Sequence, residues 1–402
     1  MGVVFSPIRA PARRIGRGGV LEPFTYQPGI HLDFARGLHY VKNSSGAVTR
    51  GAITSLFTFT GGNQSMYVGP SGLLVASATN TPRIEYDPST LACRGLLMEA
   101  ARTNLALWSN DHTNAAWVKT TMTTAKTSTG PDGTASSATR LTATGANSTS
   151  LQTVTSASAT RVYSVWMRRI TGTGNVDMTL DNGTGWTTKA ITSSWAKYEI
   201  TQAAVTNPVF GIRLVTNGDA IDVYGNQMES AAFSSSLIPT TTTSVARTAD
   251  SCIRTLSTEF SATAGTVVVA GKASGGQDAT NPQFFYTFND GTASNRIFLS
   301  RIAAADTARA NITVAGAGQG PVDGTFVSSA LFKSAFAFAA NDLAHSFNGG
   351  APTVDAAASL PAGINALHLG NEVSLIQMNG HIRTFDYYPT RKPNGFLVMA
   401  SA

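Results

Sequence analysis

The sequence predicts a mostly β protein: an N-terminal extended arm and stem, followed by two antiparallel β-sandwich domains. Three observations carry this. Charged residues make up only 13% of the 402, about half the usual share. Thr, Ser, Gly and Ala are abundant instead, a mixture that suits short strands joined by tight turns. From Trp108 onward, apolar and polar residues alternate in short runs broken by Asn-Gly and Asn-Asp-Gly, the period-2 signature of strands with one buried face. At this length, and with 42% hydrophobic residues, the chain exceeds the usual single domain and can bury two cores.

Residues 1–28 read as a flexible basic arm. Arg9, Arg13, Arg14 and Arg17 lie in "SPIRAPARRIGRGG", where Pro and Gly recur at intervals that forbid a regular helix. Two readings stand side by side: a solvated tail, and an arm that docks on an acidic protein surface. The formal charge of +6 and pI near 9.4 raise the question of nucleic acid. Past the arm, however, Lys and Arg are scattered and form no stripe interleaved with aromatics, so no nucleic-acid partner is expected. "MGVVFS" fits the short myristoylation pattern, which arises often by chance. "MGVVF" runs into Ser-Pro-Ile-Arg rather than an apolar signal core, and no stretch approaches the roughly 18 apolar residues of a bilayer span. A soluble chain without membrane insertion or a secretory address is expected.

Residues 29–107 read as a stem. Pieces such as "SLFTFTGG" and "SMYVGPSGLLVASA" are too short to close a core of their own. In "RGLLMEAARTNL", Leu96, Leu97, Ala100, Ala101 and Leu105 fall roughly at helical spacing, which predicts a helix of two to three turns. Residues 108–233 form the first predicted sandwich. "RVYSVWMRR" turns Tyr163, Val165 and Met167 to one face, with Ser164, Trp166 and Arg168 on the other. "NVDMTLDNG" turns Val176, Met178 and Leu180 inward, and "VFGIRLVTNG" does the same with Phe210, Ile212 and Leu214. Residues 234–256, rich in Thr and carrying Pro239, read as a linker or edge strand. Residues 257–402 supply eight strand-like pieces, from "GTVVVAGKAS" to "GHIRTFDYYP", and predict the second sandwich.

Motifs for catalysis are missing. Six histidines are scattered, none at metal-ligand spacing, and there is no Gly-x-Ser-x-Gly, His-Glu-x-x-His or phosphate loop. No catalytic residue, cofactor or metal is therefore expected; two carboxylates meeting in space, as in glycosidases, remain the enzymatic alternative. Asp181, Asn182, Asp219 and Asp222 are either turn formers or, alternatively, calcium ligands. Cys93 and Cys252 are too few for a disulfide framework or zinc site, and read as two buried thiols or one bridge. All five tryptophans lie in the first sandwich or at its entrance. An exposed tryptophan stacks on a sugar's apolar face while nearby polar groups bind its hydroxyls. Trp166 with Arg168, and Trp186 with Asp181 and Asn182, are the candidates for such a platform, with core packing as the alternative. Trp195 in "SSWAKYEI" reads as a core residue at a strand start.

Five phrases in order resemble the tail-fibre, tail-spike and head-spike proteins of tailed bacteriophages: "LDFARG" at Leu32–Gly37, "GLLVASATNTPRIEYDP" at Gly72–Pro88, "CRGLLMEAARTNLALWSNDHTNAAW" at Cys93–Trp117, "PDGTASSATRL" at Pro131–Leu141 and "IPTTTTSVARTAD" at Ile238–Asp250. The resemblance implies a jelly roll similar to carbohydrate-binding modules, beginning near the tryptophan pair, and a concanavalin-like, laminin-G-like sandwich after the Thr-rich run. It implies attachment to other virion proteins through the arm and stem, host-surface glycans as partners, and a virion assembled in the bacterial cytoplasm. It also implies a homotrimer, in which the stem would bury its apolar faces against two symmetry mates. The chain reaches Ala402 without the β-helix of a depolymerase. A non-enzymatic binding protein is thus expected ahead of a glycan-cleaving spike or a purely structural decoration protein.

Overall fold

The structure, a computed structural model, describes residues 27–273, 282–302, 305–325, 330–374 and 376–402. Arg9, Arg13, Arg14 and Arg17 lie outside the described residues. Every strand ladder among the described residues is antiparallel, and the only helices among them are Ile53–Leu56 and Asn394–Ser401. No described helix is long and apolar enough to cross a membrane.

The first sandwich follows the alternation in its sequence. One five-stranded sheet is centred on Val209–Leu214, the other on Ala220–Glu229, paired with Ala138–Ala143 and Ala159–Thr171. Tyr163, Val165 and Met167 meet Met178, Phe210 and Ile212 in the core between them. Trp117 closes one end, fully buried. It stacks on His112 at 3.8 Å between ring centres, and its indole N–H donates to the Trp108 carbonyl at 3.2 Å.

The leader is where expectation and structure part. Instead of forming a separate stem, Ile30–Asp33, Leu38–Lys42, Val48–Arg50, Arg83–Tyr86 and Cys93–Met98 join the larger sheet of the second sandwich, while Thr58–Thr60 joins the other. Ile30 pairs with Tyr387, Leu96 with Ile382 and Phe59 with Cys252. Ile30, Leu32, Phe59 and Met98 share one core with Phe285 and Phe385. The expectation that the leader must borrow symmetry mates is corrected: its partners lie in its own chain, where pairing costs no loss of association entropy. The burial argument for three-fold assembly falls with it.

The predicted helix in "RGLLMEAARTNL" is also corrected. Cys93–Met98 and Arg102–Asn104 are strands. Cys93–Met98 lies between Arg83–Tyr86 and Gly380–Tyr388, and Gly95 to Met98 are all buried. A strand covered on both faces carries consecutive apolar residues, which a periodicity test cannot tell from a short helix. Gly95 sits at φ +118° and a Cβ there would fall 2.2 Å from the Ile382 carbonyl oxygen, so the close pairing requires glycine. The Thr-rich run is no free linker. Leu237 and Ile238 are buried, Val245–Arg247 pairs with Arg102–Asn104, and Ser251–Thr255 enters the second sandwich. Cys93 and Cys252 are free thiols, which removes the bridge alternative; burial pushes the Cys252 thiol far above its ordinary pKa.

Candidate functional site

The phrases "TPRIEYDP", "LLMEAARTNL" and "SVARTAD" come together between the sandwiches. Arg83 donates to Glu99 at 2.7 Å, to the Ser236 hydroxyl at 2.8 Å and to Asp250. Arg247 lies 3.6 Å from Glu99 and 3.8 Å from Asp250. Glu99 also accepts from the Ser236 N–H at 2.7 Å, and Asp250 from the Gly62 and Glu99 N–H groups at 2.9 and 2.8 Å. All four charged side chains are buried. Two cations face two anions, with further donors on the carboxylates; for Asp250 burial outweighs the pull of Arg83 and Arg247, and its carboxyl sits above the ordinary value. Burial alone would raise the Glu99 pKa, but Arg247, Arg83 and Ser236 outweigh it and hold the carboxyl far below its usual range. Asn104 ties the same strand to the first sandwich. Its amide donates to the carbonyls of Asn226 and Ile238, and its oxygen accepts from the N–H groups of Ala106 and Met228.

This clasp shapes a groove. The leader hairpin Met66–Val68 and Leu74–Ala76 lies on the outer face of the first sandwich, where Val68, Leu74 and Leu237 cover Trp166 and Tyr224. Beside it opens a groove of about 340 Å³, with Trp166, Trp195, Lys197, Glu85, Arg94 and His381 in its wall. Aromatic and polar groups line it together. The polar groups are held in place: His381 Nε2 meets Glu85 at 2.6 Å, Arg94 lies 3.6 Å from Glu85, and Lys197 donates to the Ser235 carbonyl at 2.7 Å. Burial pushes Glu85 up, but His381 and Arg94 bring its carboxyl below the ordinary value. A general acid needs a carboxyl that keeps its proton near neutral pH. Glu85 and Glu99 are tuned the opposite way.

The sequence-derived candidates separate into two places. Trp166 and Arg168 share the sheet that borders the groove, but Trp166 is only 8% exposed, beneath the hairpin. Arg168 is half-buried, bound to Asp222 at 2.9 Å and stacked over Trp195 at 4.8 Å from the ring centre. Trp186, Asp181 and Asn182 belong to the opposite sheet and its turn. Trp186 lies under Arg213, 4.3 Å from the ring centre. Asp181 caps its turn by accepting from the Gly185 N–H at 2.8 Å and the Thr179 hydroxyl at 2.9 Å, and Asn182 takes the left-handed turn position at φ 60°. Asp219 and Asp222, weighed as calcium ligands, are engaged by Arg169 and by Arg140 and Arg168. No metal-binding cluster occurs among the described residues.

Trp195, read from sequence as core, is half-buried at the groove. The signal for this was present: in "SSWAKYEI", Tyr198 and Ile200 pack on the core, so Trp195 and Lys197 must fall on the opposite face. Glu85, Arg94 and His381 carried no such signal, because they reach the groove from distant strands.

No family model matches the chain, and no curated protein matches it. Solved structures give distant likenesses. The CBM40 of the Ruminococcus gnavus IT-sialidase, bound to α2,3-sialyllactose, is 14% identical over 35% of this chain and 84% of its own, at TM-score 0.31. The CBM22 tandem of Paenibacillus barcinonensis Xyn10C is 7% identical over 73% and 99%, at 0.26. Domains LG4-5 of the mouse laminin α1 chain are 9% identical over 61% and 87%, at 0.20. At these identities and scores the likenesses decide nothing about this chain.

Proposed function

We propose that this chain is a non-catalytic virion protein of a tailed bacteriophage, a fibre or spike, that binds host-surface glycans in the groove between its two sandwiches. The observation that carries the binding part is Trp195. A half-buried indole that shares a groove of this size with fixed hydrogen-bonding groups suits a sugar, with one apolar face and a rim of hydroxyls. The virion part rests on the ordered phrases of the sequence. Attachment through the arm and leader, and three-fold assembly, belong to the reading only through that resemblance; the leader buries its apolar side in its own chain, so binding does not depend on copies. Display of many copies on a particle would raise weak, millimolar sites to useful avidity.

Retention on immobilised host capsular polysaccharide and lipopolysaccharide tests the reading, with polymer length followed in parallel. Retention without shortening is expected. Shortening would replace it with the glycan-cleaving alternative, and no retention at any valency with the structural decoration protein.

A further inference from the structure

The junction matches two arginines with two carboxylates: Arg83 and Arg247 with Glu99 and Asp250. A second pair of arginines, on the outer face of the first sandwich, shares only one. Arg140 and Arg168 flank Asp222 from the two neighbouring strands. Arg140 Nε lies 2.9 Å from Asp222 Oδ1, and Arg168 donates to Oδ2 through Nε at 3.0 Å and Nη2 at 2.9 Å. The Ser128 hydroxyl adds a bond at 2.6 Å, and Arg168 Nη2 reaches the Thr129 carbonyl at 3.4 Å. The Asp222 side chain is fully buried, while Arg140 and Arg168 are 38% and 27% exposed. Neither arginine meets another carboxylate within salt-bridge range among the described residues, and Nη1 of each has no hydrogen-bond partner there. One positive charge is left over, on planar donors that a buried acid holds still. The comparable trio on the opposite sheet, Arg213, Asp177 and Trp186, is balanced one to one.

Arg168 lies on Trp195, which enters the groove wall. The surplus charge and the aromatic surface are therefore continuous. We infer that Arg140 and Arg168 bind the carboxylate of an acidic sugar whose neighbouring residues lie along Trp195, the ligand supplying the second acid that this arginine pair lacks. Guanidinium forks match carboxylate geometry, and a site held by a buried partner loses little side-chain freedom when it binds. The inference rests on the groove reading and sharpens its ligand class from glycan to acidic glycan.

The test uses the full chain and three probes: oligogalacturonate, sialyllactose, and the carboxyl-reduced form of the oligogalacturonate, with binding measured by calorimetry and by NMR line broadening of the sugar. At least one acidic probe should bind tenfold or more tightly than the neutral probe and weaken several-fold between 50 and 500 mM salt. Arg168→Gln and Arg140→Gln should each abolish that preference, Arg140→Lys should retain part of it, and Arg213→Gln should leave it unchanged. Equal binding of acidic and neutral probes, unaffected by Arg140→Gln, would overturn the inference and leave the groove reading standing. Loss of all sugar binding, neutral and acidic, in the parent chain would overturn both.

Discussion

Replacing Arg83 by Met removes the cation that contacts Glu99 at 2.7 Å and also bonds Asp250 and Ser236. The two carboxylates keep their backbone donors, but only Arg247 remains to neutralise them, at 3.6 and 3.8 Å. Breaking a buried ion pair from one side costs about 3–5 kcal/mol. A second route gives a similar size: the variant can relieve the excess charge by protonating one carboxylate, and carrying a group of ordinary pKa near 4 to its neutral form at pH 7 costs about 4 kcal/mol at 1.36 kcal/mol per unit. Against a typical stability of roughly 5–15 kcal/mol, that is a large loss. The second route also predicts a pH signature: the deficit relative to the parent should shrink by about 2.7 kcal/mol between pH 7 and pH 5, because the acid supplies the proton. Urea unfolding at both pH values, followed by tryptophan fluorescence, measures this. A deficit under about 1 kcal/mol at pH 7, or one that does not change with pH, would refute the claim that the cluster is a charge-matched clasp.

Three further outcomes are expected. Asn104→Ala strands two buried N–H groups and two carbonyls that its side chain now satisfies, and should cost at least about 4 kcal/mol in urea unfolding at roughly 1–3 kcal/mol per unsatisfied group; a loss below about 1 kcal/mol would count against it. Gly95→Ala forces a Cβ to within 2.2 Å of the Ile382 oxygen, so limited proteolysis should cut the leader well before either sandwich, at a cost of at least about 2 kcal/mol; parent-like resistance would mean the pairing is misplaced. Burial holds His112 down at about 3 and His345 at about 4. Both folded-state values lie below the unfolded one, so from pH 6.5 downward the unfolded chain takes up protons that the folded chain refuses. Stability should therefore fall with pH, by about 2 kcal/mol per histidine at pH 5, and a urea midpoint that stays flat from pH 7 to 5 would contradict this.

The sandwiches were legible because their strands obey period 2 and bury one face: Tyr163, Val165, Met167, Phe210 and Ile212 all reach the core that alternation assigns them. The leader was not legible. Leu96, Leu97 and Met98 sit in a strand covered on both faces, where local pattern cannot separate strand from helix, and their partner strand Gly380–Tyr388 lies almost three hundred residues away. The candidate site was half legible. Trp166 and Arg168 were found on the right face by parity, yet Trp166 is covered by a hairpin that no local pattern announces. The pairing of Glu85 with His381, across 296 positions, exists only once the leader has joined the second sandwich. The ordered phrases were conspicuous as sequence, and the fold gives several of them a physical reason: Arg83, Glu99, Asn104, Arg247 and Asp250 sit in them and hold the clasp together.

Everything functional hangs on whether sugars dock against the indole beside Arg168. Side-by-side retention of the parent and Trp195→Ala on a host-polysaccharide surface decides it, with matched thermal midpoints showing that the variant is folded. The parent should be held, and the alanine variant should lose at least tenfold in affinity. A folded variant held as tightly as the parent would contradict sugar docking at Trp195 and place the binding elsewhere.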